Sequence, residues 1–181
     1  TGRDAELVEK HISELEQLGV PRPPTTPVFY RVAVHHLTTN VSLEVVGEHS
    51  GGEVEFILLK ADSRLWVGVG SDHTDREAET YNVTVSKQMC EKPLAPIFWD
   101  FEEVAPHWDR LMLRSWVRED GARKSYQEGG VTAMLAPSDL LRRYAKSGEL
   151  DEGTLMFCGT LPAIGGVRPT DGFEFELEDP I

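Results

Sequence analysis

EVEFILLKADSRLWVGVGSD, residues 53–72, is the stretch of sequence that decides the fold. It contains two runs rich in β-branched and aromatic residues, 54–59 and 65–69, and such runs are typical of strands. Between them stands Ala61-Asp62-Ser63, whose short polar residues favour a tight turn. We therefore predict a β-hairpin over this stretch.

Acidic side chains stand at both ends of this hairpin. Glu53 and Glu55 are two residues apart, so in a strand they project from the same face, and Asp72 follows the second run. Carboxylates side by side repel each other unless a hard divalent cation lies between them, and oxygen ligands are what Mg²⁺ and Ca²⁺ require. A metal site is the first hypothesis. The spacing alone leaves open that the two glutamates are solvent-exposed strand residues.

His73 is a rival ligand for a softer metal such as Zn²⁺ or Mn²⁺. Strand alternation, however, turns its side chain to the face opposite that of Asp72.

Composition limits the possible functions. The chain has 181 residues, enough for one domain with a sizeable core, and a formal net charge of −13. That charge repels a phosphate backbone, so we expect no nucleic-acid partner. No apolar run reaches the length of a membrane span, which takes about 20 residues, so we expect no membrane partner. Cys90 and Cys158 cannot form a disulfide framework, which favours a cytoplasmic location.

The remaining sequence combines helical and strand patterns. Residues 4–18 have apolar positions on one helical face, with Asp4 as N-cap and Gly19 as stop, and a proline-rich linker follows. Pro137-Ser138-Asp139 is predicted to start a second helix that ends near residue 146, with Ser138 as its cap. Further strands, turns and β-structure are predicted at 28–34, 41–46, 97–99, 111–117, 119–122 and 153–179.

Short motifs in a fixed order extend over nearly the whole chain. They are Gly2-Arg3-Asp4, His11-x-x-Glu14, Glu53-x-Glu55, Asp72-His73-Thr74-Asp75-Arg76, Ser86-Lys87, Gln127-Glu128-Gly129 and Gly159-Thr160. In this order and spacing the sequence resembles the fumarylacetoacetate hydrolase superfamily, and within it a DUF2848-like subgroup. It departs from the family pattern in a short interval between Glu55 and Asp72, and in having Arg31 nearest to an expected lysine.

The resemblance implies a fold and an assembly. The fold class is α+β and β-rich, a mixed β-roll of the fumarylacetoacetate hydrolase C-terminal-domain type with an N-terminal lid helix. Residues 1–181 would form a single catalytic domain, with a lid helix region at 1–20 and a β-roll core at 28–181. Members of the family are usually homodimers, so a homodimer is expected.

The resemblance also assigns roles to individual residues. Glu53, Glu55 and Asp72 would bind Mg²⁺, with Mn²⁺ or Ca²⁺ as alternatives. The catalytic residues would be His11, Glu14 and Lys87, and the substrate-binding residues Gln127, Thr160 and Arg76. Arg76 has a second interpretation, in which it pairs with a ligand carboxylate and keeps it oriented.

His11 and Glu14 are three residues apart and therefore share one helical face, where the acid can orient the imidazole for deprotonation of a water. The same spacing also suits a solvated pair on an amphipathic helix.

The function implied is cleavage of a C–C bond in a keto or diketo acid, as in an acylpyruvate-type hydrolase or an oxaloacetate-type decarboxylase. The partner would be a small keto-acid substrate. Two alternatives stay open. One is an isomerase or tautomerase acting on a related dicarboxylate; the other is a non-catalytic β-roll binding protein with a structural metal.

Overall fold

The computed structural model describes residues 2–17, 22–23 and 25–181, without the side chains of residues 7, 10, 11, 14, 15 and 17. The helices are α1 Ala5–Gln17, α2 Arg76–Glu79, α3 Val83–Gln88, α4 Phe101–Val104 and α5 Pro137–Tyr144. The strands are β1 Leu37–Thr38, β2 Ser50–Gly51, β3 Val54–Ala61, β4 Arg64–Ser71, β5 Thr74–Asp75, β6 Lys92–Pro93, β7 Trp99–Asp100, β8 Met112–Glu119, β9 Ala122–Gly130, β10 Leu155–Thr160 and β11 Phe173–Glu178. Short 3₁₀ turns occupy Val34–His36, Ala105–Arg110 and Val131–Ala133.

Two antiparallel sheets dominate the architecture. One has the strand order β10-β3-β4-β7 and the other β11-β8-β9, with small two-stranded pairs β1-β6 and β2-β5 beside them. The fold is therefore mixed α+β and rich in sheet, as predicted. In the described part of the chain, no helix combines the length and the apolar character needed to cross a bilayer.

The central hairpin is confirmed. β3 and β4 pair from Val54 opposite Ser71 to Ala61 opposite Arg64. Asp62 and Ser63 form the turn with φ values of 53° and 62°, the left-handed conformation that a two-residue hairpin turn requires at both central positions. Short polar residues tolerate this conformation better than bulky ones do.

The two faces of β3 have different environments. Val54, Phe56 and Leu58 are fully buried in the hydrophobic core, together with Leu113 of β8. Phe56 meets the ring of Trp108 edge-on at 5.0 Å between centroids. The alternate residues therefore project from the other face, and this is the face that carries the acids.

Three local predictions were wrong. Residues 28–33 and 41–46 form no strand and have no ladder partners among the described residues, and Val41 is fully exposed. β-branched residues favour strands only where a neighbouring strand can pair with them. Helix α5 begins at Pro137, with Ala136 as N-cap and no side-chain cap, because proline already suits the first helical position. Gly19, the expected helix stop, lies outside the described residues.

Candidate metal centre

Three carboxylates meet where the hairpin strands end. Glu53 immediately precedes β3, and Glu55 lies two residues further on the same face. Asp72 follows β4, and its backbone N–H donates to the Glu53 carbonyl at 2.9 Å. One carboxylate oxygen of each residue lies within 4.8 Å of the other two. The hairpin register thus brings together residues that are up to nineteen positions apart in sequence.

The surroundings of Glu55 oppose the ionisation of its carboxylate. Burial, the Asp72 carboxylate and the Glu53 carboxylate together raise the pKa of Glu55 to about 8. The backbone N–H of Gly159 donates to Glu55 Oε2 at 2.5 Å, which favours the ionised form without cancelling the larger effects. A cation beside this carboxylate would relieve the cost of its charge.

Two buried lysines flank Asp72. Lys87 Nζ lies 2.5 Å from Asp72 Oδ2 and 3.6 Å from Glu53 Oε2. Lys92 Nζ lies 3.0 Å from Asp72 Oδ1 and donates to the His73 carbonyl. Although burial opposes ionisation, the two ammonium groups hold the pKa of Asp72 below its usual value. Burial likewise opposes the charge of Lys87, but Glu53, Asp72 and Glu55 raise its pKa above normal.

Arg76 lies behind Glu53. Its Nη1 contacts Glu53 Oε1 at 2.9 Å and Glu79 Oε2 at 3.0 Å, and its Nη2 donates to the carbonyls of Gly51 and Gly52. This is the arrangement of the second interpretation, in which Arg76 orients a carboxylate of the acidic cluster. A large cavity lies beside the three carboxylates, and among the described residues Arg76 is not part of its walls.

Gln127 and Thr160 form a buried polar network beside β3. Gln127 Oε1 accepts from Val54 N–H at 3.0 Å and from the Ser115 hydroxyl at 2.9 Å. Its Nε2 donates to Thr160 Oγ1 at 2.7 Å and to the Leu161 carbonyl at 2.6 Å. The amide of Gln127 has thus used its full hydrogen-bonding capacity within the protein.

Thr160 does line the cavity. Its hydroxyl donates to the Val54 carbonyl at 2.7 Å, so what it offers a ligand is acceptor capacity.

A cavity of about 580 Å³ opens onto the acids and both lysines. Its other walls come from residues 28–34, β10 and α5. This volume lies within the range usual for small-molecule sites, roughly 300–1,000 Å³. The carboxylates therefore face a space large enough for a ligand.

The donor set fits a hard divalent cation. It consists of carboxylate oxygens, and among the described residues neither Glu53 Oε2 nor Glu55 Oε1 accepts a hydrogen bond. His73 contributes no atom to the cluster. Its ring lies edge-on to Phe173 at 5.4 Å, and burial followed by the charges of Lys92 and Arg76 lowers its pKa to about 4.

Sequence reasoning located some of these positions and missed others. Residues 11 and 14 lie on α1, but the side chains of His11 and Glu14 are outside the described residues. Lys92 was missed because its neighbours Cys90-Glu91 and Pro93 give no signal of burial. The sequence of the wall at 28–34 predicts a strand, which the structure does not contain. Helix α3, which carries Lys87, is marked by Asn82, whose side chain accepts from Val85 N–H; an N-cap pattern could have found it.

The fold resembles those of solved structures of other proteins. The crystal structure of Cg1458 superposes with a TM-score of 0.57 at 17% identity, over 72% of this chain and 56% of that one. A hexagonal crystal form of 2-keto-3-deoxyarabinonate dehydratase gives 0.58 at 14% identity, over 72% and 48%. The same dehydratase complexed with magnesium and 2,5-dioxopentanoate gives 0.53 at 17% identity, over 72% and 49%. The chain shares the fold of these neighbours over most of its own residues and spans about half of their length.

The chain belongs to the DUF2848 family, described as proteins of unknown function, whose model matches residues 1–181. The predicted DUF2848-like subgroup is thereby confirmed. No curated protein sequence matches the chain.

Proposed function

We propose that this chain is a divalent-metal-dependent enzyme acting on a keto acid, with Glu53, Glu55 and Asp72 as ligands of Mg²⁺ or, alternatively, Mn²⁺ or Ca²⁺. The observation that carries the proposal is the meeting of three carboxylates and the buried Lys87 at the wall of a ligand-sized cavity. A structural neighbour complexed with magnesium and a dicarbonyl acid supports it. The finer proposal is C–C cleavage of a keto or diketo acid, by hydrolysis or by decarboxylation.

A cation at the three carboxylates would polarise the carbonyl of a 2-oxo acid. The chain itself supplies the fixed charge around that position. Because the pKa of Lys87 is raised, its ammonium remains protonated at neutral pH. It therefore acts as a positive charge beside a developing oxyanion, and not as a general base.

The proposed base is the His11–Glu14 dyad on α1, with this helix as the lid. A base is needed for hydrolysis, in which a water must be deprotonated, and is dispensable for decarboxylation. Arg76 is assigned to orienting Glu53, and Gln127 to holding Thr160 against β3. We further propose that residues 1–181 form one β-roll domain that pairs as a homodimer.

A non-catalytic binding protein is the second candidate. One observation favours it: Glu53 and Asp72 already have cationic partners within the protein, Arg76 for Glu53 and both Lys87 and Lys92 for Asp72. In that case the cluster is a buried ion-pair network that needs no metal, or one that holds a structural metal. Isomerisation of a dicarboxylate is the third candidate, and it would use the same site as the proposed C–C cleavage.

Calorimetric titration with Mg²⁺ and with Mn²⁺ separates these functions. We expect saturable binding and a rise in melting temperature, both absent in the Glu53→Gln/Glu55→Gln double variant. Glu174→Gln/Glu176→Gln on β11 is the matched control, since these acids lie outside the cavity and should leave binding unchanged. Failure of the parent protein to bind any of Mg²⁺, Mn²⁺ and Ca²⁺ would reject the metal-dependent enzyme.

Activity assays then identify the reaction. The metal-loaded protein is incubated with acylpyruvates, oxaloacetate and 2-keto-3-deoxy acids, and products are followed by NMR. In a hydrolase, His11→Ala abolishes acylpyruvate cleavage, whereas in a decarboxylase it leaves oxaloacetate turnover largely intact. Parental activity of His11→Ala on acylpyruvates would remove the dyad from the mechanism.

A further inference from the structure

The cavity changes character along its length. β10 pairs antiparallel with β3, so that Thr160 lies opposite Glu55 and Leu155 lies opposite Leu59. A strand advances about 3.3 Å per residue. The wall formed by β10 therefore starts at the acids and moves away from them toward Leu155, over roughly 15 Å.

An aromatic ring covers the first part of this path. Phe157 lies opposite Ile57, on the same face as Glu55, and lines the cavity. Its ring fits over Gly70, where a Cβ atom would approach Phe157 Cε1 to 2.9 Å. The missing side chain at position 70 thus gives space to an apolar surface directly beside the acids.

An aromatic pair from outside β10 also lines the cavity. Phe29 and Tyr144 meet edge-on with ring centroids 5.3 Å apart, and both line the cavity with Val28 and Leu140. Phe29 is 37% exposed and Tyr144 44% exposed. Large apolar rings that remain this accessible inside a concave site are available to a ligand.

We propose that the substrate is a 2-oxo acid with an apolar tail, an alkyl chain or a phenyl ring, which packs between Phe157 and the Phe29–Tyr144 pair. This inference rests on the proposed function, because the acidic end must hold the 2-oxo acid group. The rings of Phe29 and Phe157 offer no hydrogen-bond partners to a polyhydroxylated tail, so hydroxyls packed between them would lose water without compensation. Arg31 is the cation on the segment that carries Phe29; it is exposed, and a tail carboxylate binding there is the competing outcome.

Competition for the metal-loaded protein tests this choice. The probes are oxalate, which has no tail, and 2-oxohexanoate and 2-oxoadipate, which have the same number of carbons and differ in the terminal group. A 2-keto-3-deoxy sugar acid represents polyhydroxylated tails. We expect 2-oxohexanoate to bind at least about tenfold more tightly than either of the other two tailed acids, because its terminal methyl gains from burial whereas a carboxylate or hydroxyls would lose water against apolar rings.

Single variants test which residues determine the affinity for the apolar tail. Phe29→Ala should weaken 2-oxohexanoate about tenfold and leave oxalate unchanged, and Phe29→Leu should restore most of the affinity. Tyr81→Ala removes an aromatic ring that is 71% exposed and outside the cavity walls, and it should have no effect.

Three results overturn the proposal. Tighter binding of 2-oxoadipate assigns the tail to Arg31, and equal binding of all tailed acids shows that the rings do not select. If oxalate itself fails to bind in the presence of Mg²⁺, the proposed function is rejected and this inference with it. Oxalate binding without tail selection rejects the inference alone.

Discussion

The two ends of the cavity are built by different forces. At the acidic end, every charged group is fixed by ion pairs and backbone hydrogen bonds, and Lys92 is only 1% exposed. At the aromatic end, residues 28–33 pair with no strand among the described residues. They are anchored by Gln88, which donates to the Arg31 carbonyl at 2.6 Å and accepts from Ala33 N–H at 3.2 Å. The acidic end is thus held by buried charges, whereas the segment 28–33 of the aromatic end is held by side-chain hydrogen bonds to its backbone.

The largest effect on the free energy of unfolding should come from Lys92→Met, at the acidic end of the cavity. This change leaves Asp72 with one counter-charge fewer in a buried site, and breaking such a pair costs about 3–5 kcal/mol. Urea denaturation measures the loss. Lys124→Met is the matched control, because its ion pair with Glu119 is on the surface and should contribute little. Equal stability of both variants would show that the acidic end is not held by its charges.

Glu55→Gln should separate metal binding from stability. The amide oxygen can still accept from Gly159 N–H, but the metal ligand is lost, and with it the cost of ionising a buried carboxylate as the pH approaches the raised pKa of Glu55. We expect the variant without metal to be more stable than the parent, and Mg²⁺ to stabilise only the parent, by about 2.7 kcal/mol at a hundredfold excess over Kd. Differential scanning fluorimetry with EDTA or Mg²⁺ checks both. A variant that Mg²⁺ still stabilises fully would exclude Glu55 as a ligand.

Without metal, the stability of the parent protein and that of Glu55→Gln should depend differently on pH. The pKa of Glu55 is about 8 in the folded protein and 4.5 as its ordinary value. The unfolded chain therefore releases this proton first, and the folded state loses stability as pH rises from 4.5 toward 8. Glu55→Gln lacks this loss, so its advantage over the parent should widen across the window by at least about 1 kcal/mol. A constant difference in urea-denaturation free energy between pH 5 and 8.5 would contradict the prediction.

The smallest effect on stability is expected from a change at the aromatic end of the cavity. Gln88→Ala removes two hydrogen bonds to the backbone of 28–34, each worth about 0.5–1.5 kcal/mol. Amide exchange at Ala33 should accelerate, while exchange in β3 stays unchanged. Gln88→Glu is the control, since its carboxylate can still accept from Ala33 N–H. Parallel acceleration in β3 would show that the two ends unfold together.

The sequence predicted the acidic end better than the aromatic end. Alternation in 53–72 predicts which residues share a face, because strand geometry is local and the hairpin turn fixes its register. Nothing local indicates that Lys92 is buried, since a lysine after Glu91 reads as surface and its partner Asp72 comes from another element. Phe29 and Tyr144 are distant in sequence, so only tertiary packing brings their rings together.

The same limit explains the wrong strand at 41–46. Its valines have β propensity, yet no neighbouring strand is available to bury them.

The Gln127 network limits how small a working fragment of this protein can be. A peptide of residues 53–72 would contain all three carboxylates. It would lack Lys87 and Lys92, which neutralise them, and the amide of Gln127, which joins the β3 backbone to β8 and β10. Isolated two-stranded hairpins are at best marginally stable in water. Transplanting the acidic cluster into another scaffold would therefore require both sheets, since the residues that make three adjacent carboxylates tolerable come from outside the hairpin.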